Sequence, residues 1–166
     1  MSSQNPVKLK EANRHSMNQA QKSFVSNSTS LVNIGAEKNK TDMQIQEMRE
    51  LYRVIMASEP NLIITNVGPY MWKYREQIKK RDEAFFIDNE FSNELNEYYS
   101  RESHTDQFDQ NDINVLMNSI KKSWSTFTNP EKIVVWKHVN TMLMTYAQYL
   151  KCEREINNIN SKIRGR

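Results

Sequence analysis

Apolar residues recur at steps of three and four through most of residues 42–152, and that spacing predicts helices. The clearest stretch is 112–152. Ile113, Leu116, Met117, Ile120, Trp124 and Phe127 fall on one helical face. Thr128-Asn129-Pro130-Glu131 then has the Thr-x-x-Glu form of a capping box, with Pro130 in a first turn where its missing N–H costs nothing. Ile133, Trp136, Val139, Leu143, Tyr146 and Leu150 form the stripe of a second helix. Two amphipathic helices joined by about four residues are expected to fold back on each other as a helical hairpin.

Upstream, Thr41-Asp42-Met43-Gln44 reads as a second capping box, followed by the stripe Ile45, Met48, Leu51, Tyr52 and Ile55. That helix should stop at Ser58-Glu59, because Pro60 restricts the residue before it. The apolar run 61–67 fits a helical turn or a brief buried strand, and with no partner strand the helix is favoured. Gly68-Pro69 predicts a break. A new helix over 69–81 would turn Tyr70, Met71, Tyr74 and Ile78 inward and Lys73, Arg75, Lys79, Lys80 and Arg81 outward. Phe85, Phe86 and Ile87 predict a buried anchor, Phe91, Leu95, Tyr98 and Tyr99 another short helix, and 101–111 a polar surface loop. Past Tyr149 the stripe thins to Leu150, Ile156, Ile159 and Ile163, so the last helix is expected to run beyond the body and fray or dock elsewhere.

Residues 1–40 hold a single aromatic, Phe24, and 23–30 are mostly Ser, Asn and Thr. This segment is expected to be extended or disordered in isolation, with a weak helix around 7–22. The predicted organisation is all-α: a polar basic N-terminal arm (1–41), a helical body with a C-terminal hairpin (42–152), and a protruding basic C-terminal helix (153–166).

Composition sharpens this picture. A chain of 166 residues suits one domain. An apolar share of 37% and a mean hydropathy of −0.82 leave part of it outside the core. With three Gly and four Pro, a sandwich, a barrel or a Gly-rich phosphate cradle is disfavoured. The single cysteine, Cys152, rules out an internal disulfide framework and fits a reducing compartment. No run approaches the roughly 18–20 apolar residues of a membrane span, no signal peptide is expected, and the sequons at Asn27 and Asn39 read as chance. Charge is segregated. Residues 1–41 carry six Lys/Arg against two acids, 42–149 twelve against sixteen, and 150–166 five against two. A mildly acidic body between two basic ends suits tails that touch an acidic surface.

Candidate chemistry is sparse. Asp106, Asp109 and Asp112 lack the glycine and terminal glutamate of a twelve-residue calcium loop, so a solvated acidic loop is expected. His15, His104 and His138 are scattered, without metal-ligand spacing, and His138 beside Trp136 reads as a half-buried, hydrogen-bonded residue. Lys151 and Arg154 could lower the Cys152 pKa, but no histidine partner is designated, and a free helical thiol is expected. Glu94 with Glu97, or Asp88 with Glu90, looks like ordinary surface charge. No nucleophile elbow, P-loop or dinucleotide fingerprint occurs. The expectation is a protein that is not an enzyme and has no cofactor or metal. Lys79-Lys80-Arg81 and Lys162, Arg164 and Arg166 raise the nucleic-acid question, set against a solvated helix face. Trp72, off the inward stripe and near Lys73 and Lys79, would mark a protein interface if exposed.

Three stretches carry a resemblance: Asn66-Val67-Gly68-Pro69-Tyr70-Met71-Trp72-Lys73-Tyr74, Asp82-Glu83-Ala84-Phe85-Phe86, and Trp124 through Glu131 into Trp136-Lys137-His138-Val139. Over residues 60–150 the chain resembles small helical proteins of largely unassigned role from nucleocytoplasmic large DNA viruses. The shared pattern is an apolar scaffold and brings no functional residues with it. The resemblance implies a virion or virus-factory protein: a structural or adaptor component, such as a minor capsid protein, acting through contacts with other virion proteins, with its terminal arms ordering on those neighbours. Its location would be the virion, with the host cytoplasm during assembly. The 19 Asn residues fit an AT-rich genome. The alternative is a small virion-packaged protein that associates with nucleic acid through its basic ends.

Overall fold

The computed structural model describes residues 5–88 and 110–165, and every regular element among them is helical. α1 spans Pro6–Lys38, α2 Met43–Ser58, α3 Asn61–Lys73, α4 Arg75–Lys79 and α5 Glu83–Asp88. α6 spans Gln110–Ser123; a 3₁₀ turn over Trp124–Thr126 leads to α7, Asn129–Arg164. The expected short helix around 91–99 and most of the loop expected over 101–111 lie outside the described residues; the last two loop residues, Gln110 and Asn111, belong instead to α6.

The architecture rests on two long antiparallel helices. At 33 and 36 residues, α1 and α7 are about 50 and 54 Å long at 1.5 Å per residue. Three side-chain contacts record the pairing in step. The Lys38 ammonium meets the Glu131 carboxylate at 2.6 Å, His138 Nδ1 lies 2.8 Å from Asn27 Oδ1, and Lys10 Nζ donates to Asn160 Oδ1 at 2.6 Å.

This corrects two expectations. Residues 6–38 are not an extended arm but a core helix, with Phe24 fully buried. Residues 153–164 do not protrude: Cys152 and Ile159 are buried where α1 runs alongside. The hairpin is corrected too, because α6 packs on α1 and α2 instead of closing along α7. Length explains the exchange. α6, with 14 residues, reaches about 21 Å and could cover less than half of α7, whereas α1 covers nearly all of it.

α3, α4 and α5 fill the remaining side of α7. Ile63, Ile64, Met71 and Ile78 meet Phe24, Tyr52, Met142, Leu143 and Tyr146 in the main core. Gly68-Pro69 does not break the chain, and α3 runs through Pro69 to Lys73. A Cβ on residue 68 would fall 2.3 Å from the Tyr146 ring, so the glycine lets α3 press against α7. Glycine also relaxes the steric limit that proline sets on the residue before it. At α2 the cap is Asp42 instead of Thr41: its side chain accepts from Ile45 N–H at 3.3 Å. The Thr128–Glu131 capping box on α7 forms with both of its reciprocal bonds.

A second cluster closes the corner where α6 turns into α7. Trp124, Phe127, Val135 and Trp136 pack together, with Phe86, Ile87 and Ile120 at the edge. The Trp124 and Trp136 rings meet edge-on, with centroids 6.4 Å apart.

Candidate interaction surface

The residues that could have carried chemistry are built into helix junctions. His138 is half-buried and held by Asn27. Cys152 is buried, and burial, followed by the nearby Glu155 carboxylate, pushes its thiol pKa up. Lys151 acts in the lowering direction but is outweighed. Among the described residues no group of three His, Cys, Asp or Glu side chains could hold a metal ion.

At the corner, two lysines each do two things. Lys38 pairs with Glu131 and lies 4.9 Å from the Phe127 ring centroid. Lys132 donates to Glu83 at 3.0 Å and lies 5.0 Å from the Trp124 centroid. The Lys38 ammonium and the Thr128 backbone hold the Glu131 carboxyl down at about 2. The Glu83 carboxyl is also held low, first by the Trp124 indole N–H and then by Lys132. That indole nitrogen is buried without a partner in hydrogen-bonding geometry, so Glu83 feels it as a polar approach and not as a formed bond.

The exposed candidates divide into two places. Trp72 and Lys73 end α3, Lys79 ends α4 and Lys80 and Arg81 follow it, together forming a basic knuckle on the middle of α7. Trp72 keeps 39% of its surface exposed. Its ring meets Tyr146 edge-on at 6.4 Å, and the Arg75 guanidinium lies 4.9 Å from its centroid while donating to the Trp72 carbonyl at 2.8 Å. Lys73 lies 5.3 Å from the Tyr74 ring centroid, and Lys79 pairs loosely with Glu76 at 3.9 Å.

The end of α4 is a Schellman turn: Asp82 N–H donates to Gln77 O, and Arg81 N–H to Ile78 O, each at 3.0 Å. The residue after such a cap adopts a left-handed conformation that glycine accepts most easily. Here it is Arg81, at φ 51°, the one non-glycine residue with positive φ among those described.

Lys162 and Arg164 lie on the last turn of α7, about 24 Å along the axis from Tyr146, so they do not join the knuckle. Arg166 lies outside the described residues. No protein-family model, curated protein or solved structure matches this chain. Nor is any helix among the described residues long and apolar enough to cross a membrane.

The antiparallel pairing produces a grouping that the sequence reading missed. Lys162 and Arg164 come up against the first turns of α1, which carry Lys8, Lys10 and Arg14. The signal was present as two basic ends of one chain. A separate arm over residues 1–41 would keep the two ends apart, and only the antiparallel pairing joins them.

Proposed function

We propose that this protein is a non-enzymatic structural or adaptor component of a large-DNA-virus particle, a minor capsid component acting through protein–protein contacts at the Trp72–Arg81 knuckle. It would reside in the virion, and in the host cytoplasm during assembly. The resemblance over 60–150 supports the viral setting. The observation that carries the reading is Arg81. A left-handed arginine costs about 1 kcal/mol where glycine would not, and strained non-glycine backbone concentrates at functional places. The strain is tolerated beside a partly exposed tryptophan and three lysines, Lys73, Lys79 and Lys80, and Trp and Arg are among the residue types that anchor interfaces.

The test separates binding from stability. Arg81→Gly is expected to raise stability by up to about 1 kcal/mol in urea unfolding, because the strain is relieved. Arg81→Gly and Trp72→Ser should each remove cross-links between this face and a neighbouring protein in purified particles. Absence of the protein from purified particles, or an Arg81→Gly variant that keeps every cross-link, refutes the proposal.

Contact with nucleic acid through the basic first and last turns is the second reading, favoured by their convergence. Phosphate-driven binding falls steeply as salt rises, whereas an apolar protein contact does not.

A further inference from the structure

The first turns of α1 and the last turns of α7 meet to form one end of the long helix pair, tied by the Lys10–Asn160 hydrogen bond at 2.6 Å. Residues 5–17 and 153–165, set side by side by that bond, together hold Lys8, Lys10, Arg14, Arg154, Lys162 and Arg164 against three acids, Glu11, Glu153 and Glu155. In an antiparallel pair the two helix dipoles oppose each other, so the field at this end comes from its side chains. It is positive.

The same end carries apolar side chains that are left partly exposed. Val7 is 59% exposed, Leu9 37% and Ile163 50%, while Ile159 one turn inward is buried. Basic residues around a small apolar tip match an anionic lipid surface: the charges meet headgroups while the aliphatic side chains enter the interface. A single-stranded nucleic-acid site would want rings for stacking, and these residues include no Phe, Trp or Tyr, while the exposed aliphatic side chains would have no role on a duplex.

We propose that this end of the α1–α7 pair docks end-on onto anionic membrane surfaces, with Val7, Leu9 and Ile163 entering the headgroup region and Lys8, Arg14, Lys162 and Arg164 binding lipid phosphates and carboxylates. This assignment is independent of the Trp72–Arg81 knuckle and survives if that reading fails.

Flotation of the full chain with vesicles tests it, comparing pure phosphatidylcholine with phosphatidylcholine containing about one-third phosphatidylserine. Binding is expected only to the anionic vesicles, and it should weaken as salt approaches molar. Each of the four basic residues changed to Gln should weaken binding about fivefold. The triple variant Val7→Ser, Leu9→Ser, Ile163→Ser should weaken it severalfold with all charges in place. Far-UV circular dichroism confirms that each variant folds. Three results overturn the proposal: no binding to anionic vesicles, equal binding to neutral ones, or a short DNA duplex that binds more tightly and is indifferent to the triple Ser change. The last would assign the end to nucleic acid.

Discussion

α1 and α7 lie against each other over nearly their whole lengths, yet they bring opposite things to the core. α7 buries volume: Val135, Trp136, Met142, Leu143, Tyr146, Cys152 and Ile159. α1 buries Asn13, Ala20, Phe24, Ser28, Gly35 and Ala36, of which only Phe24 is large and apolar. The small side chains let neighbouring helices approach, as Gly35 does for α6, and the polar ones are satisfied in place. Asn13 Nδ2 donates to Leu9 O at 3.0 Å, and the Tyr52 hydroxyl donates to Ser28 Oγ at 2.8 Å. Buried polar groups with partners cost little, so a helix can be central without a visible apolar stripe.

If α1 holds by fit with a single large anchor, removing that anchor should have the largest effect. Phe24 is fully buried in the main core, and Phe24→Ala is expected to cost about 3–5 kcal/mol in urea unfolding. A loss below about 1 kcal/mol would show that α1 is peripheral, as the sequence reading held.

What was legible and what was not follows the same division. The stripe of α2, that of α7 from Trp136 onward, the Thr128 capping box, the stop before Pro60 and the half-buried His138 could be read because large apolar residues and caps act locally; Ile133, expected on the α7 stripe, is instead exposed. α1 could not. Its buried positions recur at steps of four and seven from Asn13 to Gly35, a regular helical pattern written in residues that pattern reading scores as polar or neutral. The expected break at Gly68-Pro69 failed for a related reason: there the glycine serves a close approach to Tyr146 and not a turn. In the surface site, exposure of Trp72 followed from its place off the stripe. The left-handed Arg81 and the convergence of α1's first turns with Lys162 and Arg164 came from tertiary structure.

Gly35 tests the fit directly. A Cβ there would meet Ser119 Oγ at 2.2 Å and Ser119 Cβ at 3.1 Å, where α1 crosses α6. Helix propensity alone favours Gly35→Ala by about 1 kcal/mol, whereas overpacking costs about 1–3 kcal/mol. The net expectation is a loss of about 1 kcal/mol. In a Ser119→Ala background the 2.2 Å obstruction is gone, so the same change should approach neutrality, read from a double-mutant cycle. Additive losses would mean that the crossing is not closely fitted.

The smallest effect is expected where α1 and α7 are joined by charge. Glu131 is held near 2, below its ordinary 4.5, mainly by Lys38, and the Asp42 carboxyl is lowered first by Lys122. A carboxylate whose folded pKa is depressed contributes stability that is complete above its unfolded pKa and is lost as pH falls through the folded value. The melting temperature should therefore fall between about pH 4.5 and pH 2 through these groups, and less steeply in high salt, because the pairs are partly exposed. Glu131→Gln should lower the melting temperature at pH 7, leave it nearly unchanged at pH 2, and flatten the profile between. If the variant keeps the full acid dependence of the parent chain, the Lys38–Glu131 pair does not join the two helices energetically, and fit alone holds α1 in place.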